Sequence, residues 1–287
     1  KQSLHTFRNV LKDKNFGELY GNGYEPKYKN AVFATVQTLS NLDFETYSTK
    51  NYFDYIILDE AHHGQASTYQ KIINYFDPQI LLGLTATPER MDGKSILPDF
   101  NNKIAAEIRL PDALNNKLLC PFQYFGISDS VDYSHIKWSS GKYDSAELTN
   151  IYTANDIRVG DIIKNLNDYT KDIHSVSAVG FCVSVEHAKF MQRKFCNAGL
   201  SAEYLVSENS ANREDIIHKF KKKEINYLFV VDIFNEGIDI PQIDTVLFLR
   251  PTESLTIFLQ QLGRGLRLSD DKDVLTVLDF VGQARDE

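Results

Sequence analysis

Tyr55-Ile56-Ile57-Leu58-Asp59-Glu60-Ala61-His62 is the stretch on which the reading of this chain turns. Four apolar residues read as a buried parallel strand, and two adjacent carboxylates follow where that strand would leave its sheet. Ligands of open α/β sheets bind just beyond the carboxyl ends of the strands. A carboxylate pair placed there can hold a magnesium ion and polarise a water molecule. A strand that simply closes in a solvated acidic turn has the same local sequence, so the surrounding segments decide between the two.

Strands and helices alternate on both sides of that stretch, which points to an α/β fold of parallel sheets joined by crossover helices. Residues 3–11 read as a helix with no strand before it, and 31–35 as a buried strand. Residues 69–76 read as a helix with Tyr69, Ile72, Ile73 and Phe76 on its apolar face, and 80–84 as a further strand, set apart by Pro78. From 115 to 155 the pattern weakens: 122–127 looks like a strand and 129–149 like loop with marginal structure. A boundary near Asn116 then gives domains over 1–116 and 117–287. In the second domain, strands are expected at 178–183, 202–206, 227–231, 245–249 and 275–280, with helices at 185–197, 212–220 and 253–262. Ser184 and Ser210 stand at N-cap positions. This half reads as a complete doubly wound domain, and the first half does not.

At 287 residues the chain is long enough for two domains, each with its own core. No apolar run approaches the length of a bilayer span, and residues 1–10 have neither the apolar centre nor the cleavage site of a secretory signal. The expectation is a cytoplasmic protein without a membrane partner. Cys120, Cys182 and Cys196 are too few and too far apart for a disulfide framework or a zinc site. A net charge of −8 argues against coating nucleic acid by bulk electrostatics, while leaving room for a groove that grips phosphates through amides and hydroxyls. The basic run at 219–223 reads first as a helix terminus, where cations complement the dipole.

Chemistry-bearing residues also follow other strands. Thr85-Ala86-Thr87-Pro88 comes after the strand at 80–84; its hydroxyls could sense a nucleotide, and a proline-closed turn is the plainer reading. Asn235-Glu236-Gly237-Ile238-Asp239-Ile240-Pro241 includes a glycine that lets the backbone approach a ligand. In Gln260-Gln261-Leu262-Gly263-Arg264-Gly265-Leu266-Arg267, two arginines three apart lie past a helix and are loosened by glycines. A guanidinium brought to a γ-phosphate neutralises the charge that develops in phosphoryl transfer. Arginines that merely complement a helix end would look the same.

Taken in order, these segments resemble the superfamily 2 DEAD/DEAH-box helicases, and more closely the bacterial type related to the Res subunits of type III restriction enzymes. Residues 59–62 match helicase motif II, 85–87 motif III, 179–184 motif IV, 235–239 motif V and 260–267 motif VI. The resemblance implies two RecA-like parallel-sheet domains, the first truncated at its N-terminus, and an ATP hydrolase using ATP and Mg2+ in the cleft between them. Asp59 would serve magnesium, directly or through water, and Glu60 the attacking water, with His62 linking this site to motif III or to the second domain. Thr85 and Thr87 would couple hydrolysis to domain movement, and Gly237 and Asp239 would face the nucleotide. Arg264 and Arg267 would bring positive charge from the opposite domain, with Gln260 bridging to the ATP site. Nucleic acid, DNA rather than RNA by the closest resemblance, would be gripped through Thr35, Gln37, Phe181, Ser184 and Asn235, although Thr35 also suits a helix cap and Phe181 a core.

One part of the family pattern is missing. A glycine-rich loop ending in Gly-Lys-Ser or Gly-Lys-Thr should cradle the phosphates. Gly21-Asn22-Gly23 lacks the lysine, and Gly93-Lys94-Ser95 lacks the upstream glycine and follows motif III. The expectation is a fragment whose phosphate loop lay upstream, which by itself binds ATP weakly and hydrolyses it negligibly. Relatives of this type can carry a phospholipase-D-like nuclease module ahead of the helicase core. Two other classes stand beside the motor: a non-catalytic nucleic-acid-binding or scaffold module with a degenerate helicase fold, and a metal-dependent hydrolase built on Asp59, Glu60, His62 and His63. The last lacks the i, i+4 histidine spacing of a helical zinc site.

Overall fold

The computed structural model describes residues 2–21, 23–63, 67–85, 95–139, 142–206, 212–231, 240–252 and 255–283. The chain divides into two compact units, residues 1–107 and 108–287.

The first unit runs α1 (Gln2–Leu11), β1 (Glu18–Tyr20), β2 (Val32–Ala34), α2 (Val36–Ser40), α3 (Phe44–Tyr47), β3 (Tyr55–Leu58), a 3-10 turn (Ala61–His63), α4 (Ser67–Tyr75) and β4 (Ile80–Gly83). β1 pairs in parallel with β2, and β3 with β4. The loop between β1 and β2 is closed by the Glu18 carboxylate, which accepts the amides of Lys27, Tyr28 and Lys29 at 2.8–3.1 Å. A small core of Phe44, Ile72 and Phe76, joined by Val36, Leu39 and Ile56, packs α2, α3 and α4 on one side of β3. The other side carries Tyr55, Ile57, Ile80 and Leu82, and the β3/β4 register sets Tyr55 beside Ile80 and Ile57 beside Leu82. Tyr55 is 65% exposed and Ile57 49%. The expectation of a strand buried on both faces is therefore corrected: strand side chains alternate, and here only the Ile56 and Leu58 face is covered. β1, α2 and α3 escape sequence reading because three to five residues are too few to display a period.

The second unit runs α5 (Leu110–Asn115), β5 (Phe122–Asp132), β6 (Trp138–Ser139), β7 (Lys142–Tyr143), α6 (Ser145–Thr153), α7 (Asp156–Tyr169), β8 (Ala178–Phe181), α8 (Val185–Asn197), β9 (Ala202–Leu205), α9 (Arg213–Lys221), β10 (Tyr227–Val230), β11 (Thr245–Phe248), α10 (Leu255–Gly265) and β12 (Leu275–Gln283). Six parallel strands form one sheet in the order β5-β12-β11-β8-β10-β9. β8, β10 and β11 are buried at every position, on both faces, so they read as continuous apolar runs, whereas the edge strand β5 exposes Gln123, Tyr124 and Gly126. Along β10, Tyr227 and Phe229 join the core under α7 and α8, while Leu228 and Val230 join the core under α9 and α10. Leu110 of α5 packs against the second of these cores, so α5 lies with this unit.

Residues 129–139 and 142–149 are not the loop expected there. β5 continues to Asp132, a hairpin of β6 and β7 follows, and α6 begins at Ser145 under an Asp144 cap. Val131, Tyr133, Ile136, Leu148 and Tyr152 form a satellite core there. The strand hides in the sequence because one of its inward positions is Asp129, whose carboxylate is buried against Arg158 of α7 at 2.7 Å. An ion pair formed across 29 residues leaves no periodic trace. α7 does leave one: Val159, Ile162, Ile163 and Leu166 recur at helical spacing.

Candidate functional site

In the first unit, the chain leaves β3 through a sharp turn. Glu60 sits at φ +51°, a left-handed conformation uncommon outside glycine, and its amide donates to Asp59 Oδ1 at 3.0 Å. Pairing with β4 continues through this turn, because Leu84 N donates to Leu58 O and Ala61 N donates to Leu84 O, both at 2.8 Å. The carboxylates after β3 and the threonine after β4 are thereby held side by side. His62 bridges them: its Nδ1 lies 3.1 Å from Thr85 Oγ1 and 3.3 Å from Glu60 Oε2. Ala61 is fully buried beneath this corner, and Gly83 leaves it room, since a methyl group there would lie 2.5 Å from Phe100 and 3.0 Å from Ala61. Asp59, Glu60, His62 and Thr85 thus share one corner, while Thr87 lies outside the described residues.

The donor set suits magnesium. Asp59 is exposed at the carboxyl end of β3, and a carboxylate oxygen is the ligand this hard cation takes. Among the described residues no group of three or more His, Cys, Asp or Glu side chains could enclose a metal ion. Asp59 therefore fits an ion that keeps water and phosphate oxygens as its other ligands, which is how Mg2+ is usually held.

Thr35 and Gln37 are exposed where β2 passes into α2. Thr35 caps that helix, accepting from Thr38 N at 3.2 Å.

In the second unit, Gln260 and Arg264 lie on α10, which runs on to Gly265, so Arg264 belongs to its last turn and only Arg267 falls beyond it. The terminal carbonyls of a helix need outside donors. Lys272 supplies one: buried at 8% exposure, its ammonium donates to Gly265 O at 2.8 Å, Pro241 O at 2.7 Å and Ile243 O at 2.9 Å. Cys120 N donates to Leu266 O at 2.7 Å. Burial holds the Lys272 pKa below the usual lysine range. Gly265 permits the close passage of α10 over the sheet, since a methyl group there would lie 2.6 Å from Leu275. The arginine segment is therefore fixed from behind by a lysine that sequence reading passed over; its only sequence signal was a lone cation in an acidic turn.

Asn235, Gly237 and Asp239 lie outside the described residues, as does Ser210. Ser184 caps α8 through His187 N at 3.1 Å, and its hydroxyl lies 2.8 Å from Thr149 Oγ1 of α6. Phe181 is corrected: at 3% exposure it stacks on Phe248 inside the core and presents no face to a nucleic acid. Around Ser184 lies a polar network missing from the sequence reading. Arg158 pairs with Asp129, donates to Leu249 O at 3.1 Å and lies over the Tyr152 ring; Tyr152 stacks on the buried His187 and shares a 2.7 Å hydroxyl contact with Tyr133.

Residues 1–90 match the family described as type III restriction enzyme, res subunit, and residues 161–269 match the helicase conserved C-terminal domain. The putative ATP-dependent helicase IRC3 of Saccharomyces cerevisiae is 31% identical over 261 residues, covering 88% of this chain and 37% of the relative. Among solved structures, a fragment of a putative HsdR subunit of a type I restriction enzyme from Vibrio vulnificus YJ016 superposes with a TM-score of 0.76 at 21% identity, covering 95% of this chain and 51% of that one. The ATP-dependent Type ISP restriction-modification enzyme LlaBIII, bound to DNA, does so with a TM-score of 0.62 at 19% identity, over 88% of this chain and 19% of that one. These likenesses show a RecA-like helicase fold, and the chain spans well under half the length of the yeast relative. With both units matched by helicase-type families, this chain belongs to the superfamily 2 helicases, in the group related to the Res subunits of type III restriction enzymes.

Proposed function

We propose that this chain carries the hydrolytic and strand-gripping parts of an ATP-dependent DNA helicase or translocase. The observation that supports this most directly is the contact of His62 with both Glu60 and Thr85, because one side chain joins the carboxylate turn after β3 to the threonine turn after β4. In this reading Glu60 orients or deprotonates the attacking water, and His62 passes the change at Glu60 to Thr85. Asp59 holds Mg2+ directly or through water. When bound, the ion neutralises charge on the β- and γ-phosphate oxygens of ATP. Arg264 and Arg267 bring guanidinium charge to the γ-phosphate, Gln260 ties their segment to the nucleotide, and Thr87, Gly237 and Asp239 face it. Thr35, Gln37, Ser184 and Asn235 hold the strand by its backbone, a sequence-independent mode.

No glycine-rich loop ending in Gly-Lys-Ser or Gly-Lys-Thr at the required spacing occurs in the 287 residues. We read the phosphate cradle as supplied from outside this chain, in a longer protein. The exposed apolar face of Tyr55, Ile57, Ile80 and Leu82 supports that reading, since such a face calls for a further layer. The DNA direction draws on the DNA-bound restriction-modification enzyme with the same fold.

The missing loop equally favours a second reading, a nucleic-acid-binding module that does not hydrolyse ATP. Turnover separates them. ATP hydrolysis by the natural protein that contains this chain is measured with single-stranded DNA, duplex DNA and RNA at one fixed salt concentration. DNA-stimulated turnover is expected to fall about 100-fold or more in Glu60→Gln and in Arg267→Ala. Wild-type rates in both variants overturn the site assignment, absence of turnover in the wild type leaves the binding module, and stimulation by RNA alone overturns the DNA direction.

A further inference from the structure

The hairpin of β6 and β7 stands at a position in the second unit where a ligand site is expected on topological grounds. β8 feeds α8, whose Ala188, Met191 and Phe195 pack on one face of the sheet, whereas β11 feeds α10, whose Leu262 packs on the other together with Leu266 just past the helix end. β8 and β11 are hydrogen-bonded neighbours. Between two such strands the connections part to opposite faces and leave a crevice beyond their carboxyl ends, where doubly wound sheets bind ligands. Val183, just after β8, and Arg250 and Thr252, just after β11, line a cavity of about 100 Å3 there, and Trp138 and Tyr143 of the hairpin close it.

The chemistry of the lining narrows the occupant. Trp138 meets Tyr143 edge-to-face, with ring centroids 4.6 Å apart and planes at 71°, yet it remains 50% exposed. The volume admits one planar ring and is well below that of a cofactor pocket. Arg250 and Thr252 line the cavity together with the two rings, so a cationic side chain stands at the site for a phosphate-linked ring despite the net charge of −8. The rings are also held in place beforehand. Lys137 N donates to Glu147 of α6 at 2.8 Å, Asp144 N donates back to Lys137 O at 2.8 Å, and Tyr143 and Val183 pack on the satellite core. Thr149 of the same helix touches Ser184.

We propose that Trp138 and Tyr143, with Arg250 beside them, form a stacking site for one unpaired base of a DNA strand. The inference rests on the reading of the chain as a nucleic-acid-binding motor and adds a contact to the bases, where the residues assigned above touch only the backbone. Aromatic stacking tolerates any base, which suits a protein that moves along a strand.

Trp138 is the only tryptophan among these 287 residues, so the emission of the natural protein that contains them, less that of its Trp138→Phe variant, reports on this site alone. Oligothymidylate and an abasic strand of equal length are titrated in, with the anisotropy of the labelled strand recording binding independently. Tryptophan emission is expected to be quenched along the oligothymidylate binding curve and to stay constant with the abasic strand. Trp138→Ala is expected to weaken oligothymidylate binding about 10-fold, and Trp138→Phe to recover most of the loss. A rise in anisotropy without quenching, equal quenching by the abasic strand, or undiminished affinity of Trp138→Ala overturns the stacking site alone. No rise in anisotropy with any strand overturns the nucleic-acid reading beneath it.

Discussion

Asp59, Glu60 and Thr85 in the first unit and Ser184 in the second stand just beyond the carboxyl ends of parallel strands, and the two units hold those strands by different means. In the second unit β10 is buried at every position, between helices on both faces of a six-stranded sheet. In the first, β3 pairs among the described residues with β4 alone, and Tyr55 and Ile57 stay exposed. There the geometry is fixed one hydrogen bond at a time: the Glu18 clamp, the Thr35 cap, the amides of Ala61 and Leu84, and Lys71 Nζ donating to Ser40 O and Leu42 O at 2.6 and 2.8 Å. A neutral bond such as that of the Ala61 or Leu84 amide contributes only about 0.5–1.5 kcal/mol, whereas a fully buried side chain of leucine size contributes about 1.5–3. A site can thus be placed by backbone chemistry before its sheet has a complete core.

The largest effect that would test this contrast lies in the second unit. Arg158→Met leaves the Asp129 carboxylate buried without its partner, both side chains being 1–2% exposed, and should cost about 3–5 kcal/mol. Asp129→Leu combined with Arg158→Met should recover most of that loss, because both buried charges are then gone. Denaturant unfolding gives the magnitude, and hydrogen exchange shows where protection is lost. We expect the loss within residues 108–287; an equal loss over 1–107 would mean that the two units share one cooperative core.

What the sequence discloses follows the same division. Its apolar runs locate all the strands of the six-stranded sheet, β5 only in part, because burial on both faces removes alternation and leaves Val, Leu and Phe in unbroken stretches. The segment from Asp129 to Tyr152 stays hidden because its inward positions include a carboxylate and tyrosines, and nothing in the local sequence announces Arg158. At the site, Asp59, Glu60, His62 and Thr85 are legible as residue types after strands, but the left-handed turn at Glu60 and the bridging ring of His62 are facts of geometry. Lys272 is illegible for a similar reason: its partners are three carbonyl oxygens, and every residue has one.

A middle-sized effect depends on pH. Burial holds the His187 imidazole well below its ordinary pKa, and the Arg158 guanidinium pushes the same way. In the unfolded chain that ring titrates near about 6.5. Below that pH the unfolded state binds a proton that the folded state refuses, so the second unit loses stability as pH falls, by up to about 1.4 kcal/mol per pH unit for this group, until the folded-state ring itself protonates. His187→Phe keeps an aromatic ring against Tyr152 and removes the titration. Urea midpoints at pH 7 and pH 5 should therefore draw closer together in the variant than in the wild type. Equal separations in the two proteins would show that His187 is not the group responsible.

The smallest effect belongs to the first unit, and it separates two roles for one side chain. Thr35→Ala removes the acceptor for Thr38 N and the 2.9 Å contact between the two hydroxyls, for a cost of about 1 kcal/mol seen as faster exchange over Val36–Ser40. Thr35→Asn restores a cap of at least equal strength. If Thr35 acts only as a cap, Thr35→Asn should return both the exchange rates and the DNA affinity to wild-type values. If the hydroxyl also holds a phosphate, Thr35→Asp should cap as well as Thr35→Asn yet bind DNA more weakly, since its carboxylate keeps the helix and repels the strand. Equal affinity of the aspartate and asparagine variants would confine Thr35 to the fold and leave the grip on the strand to other residues.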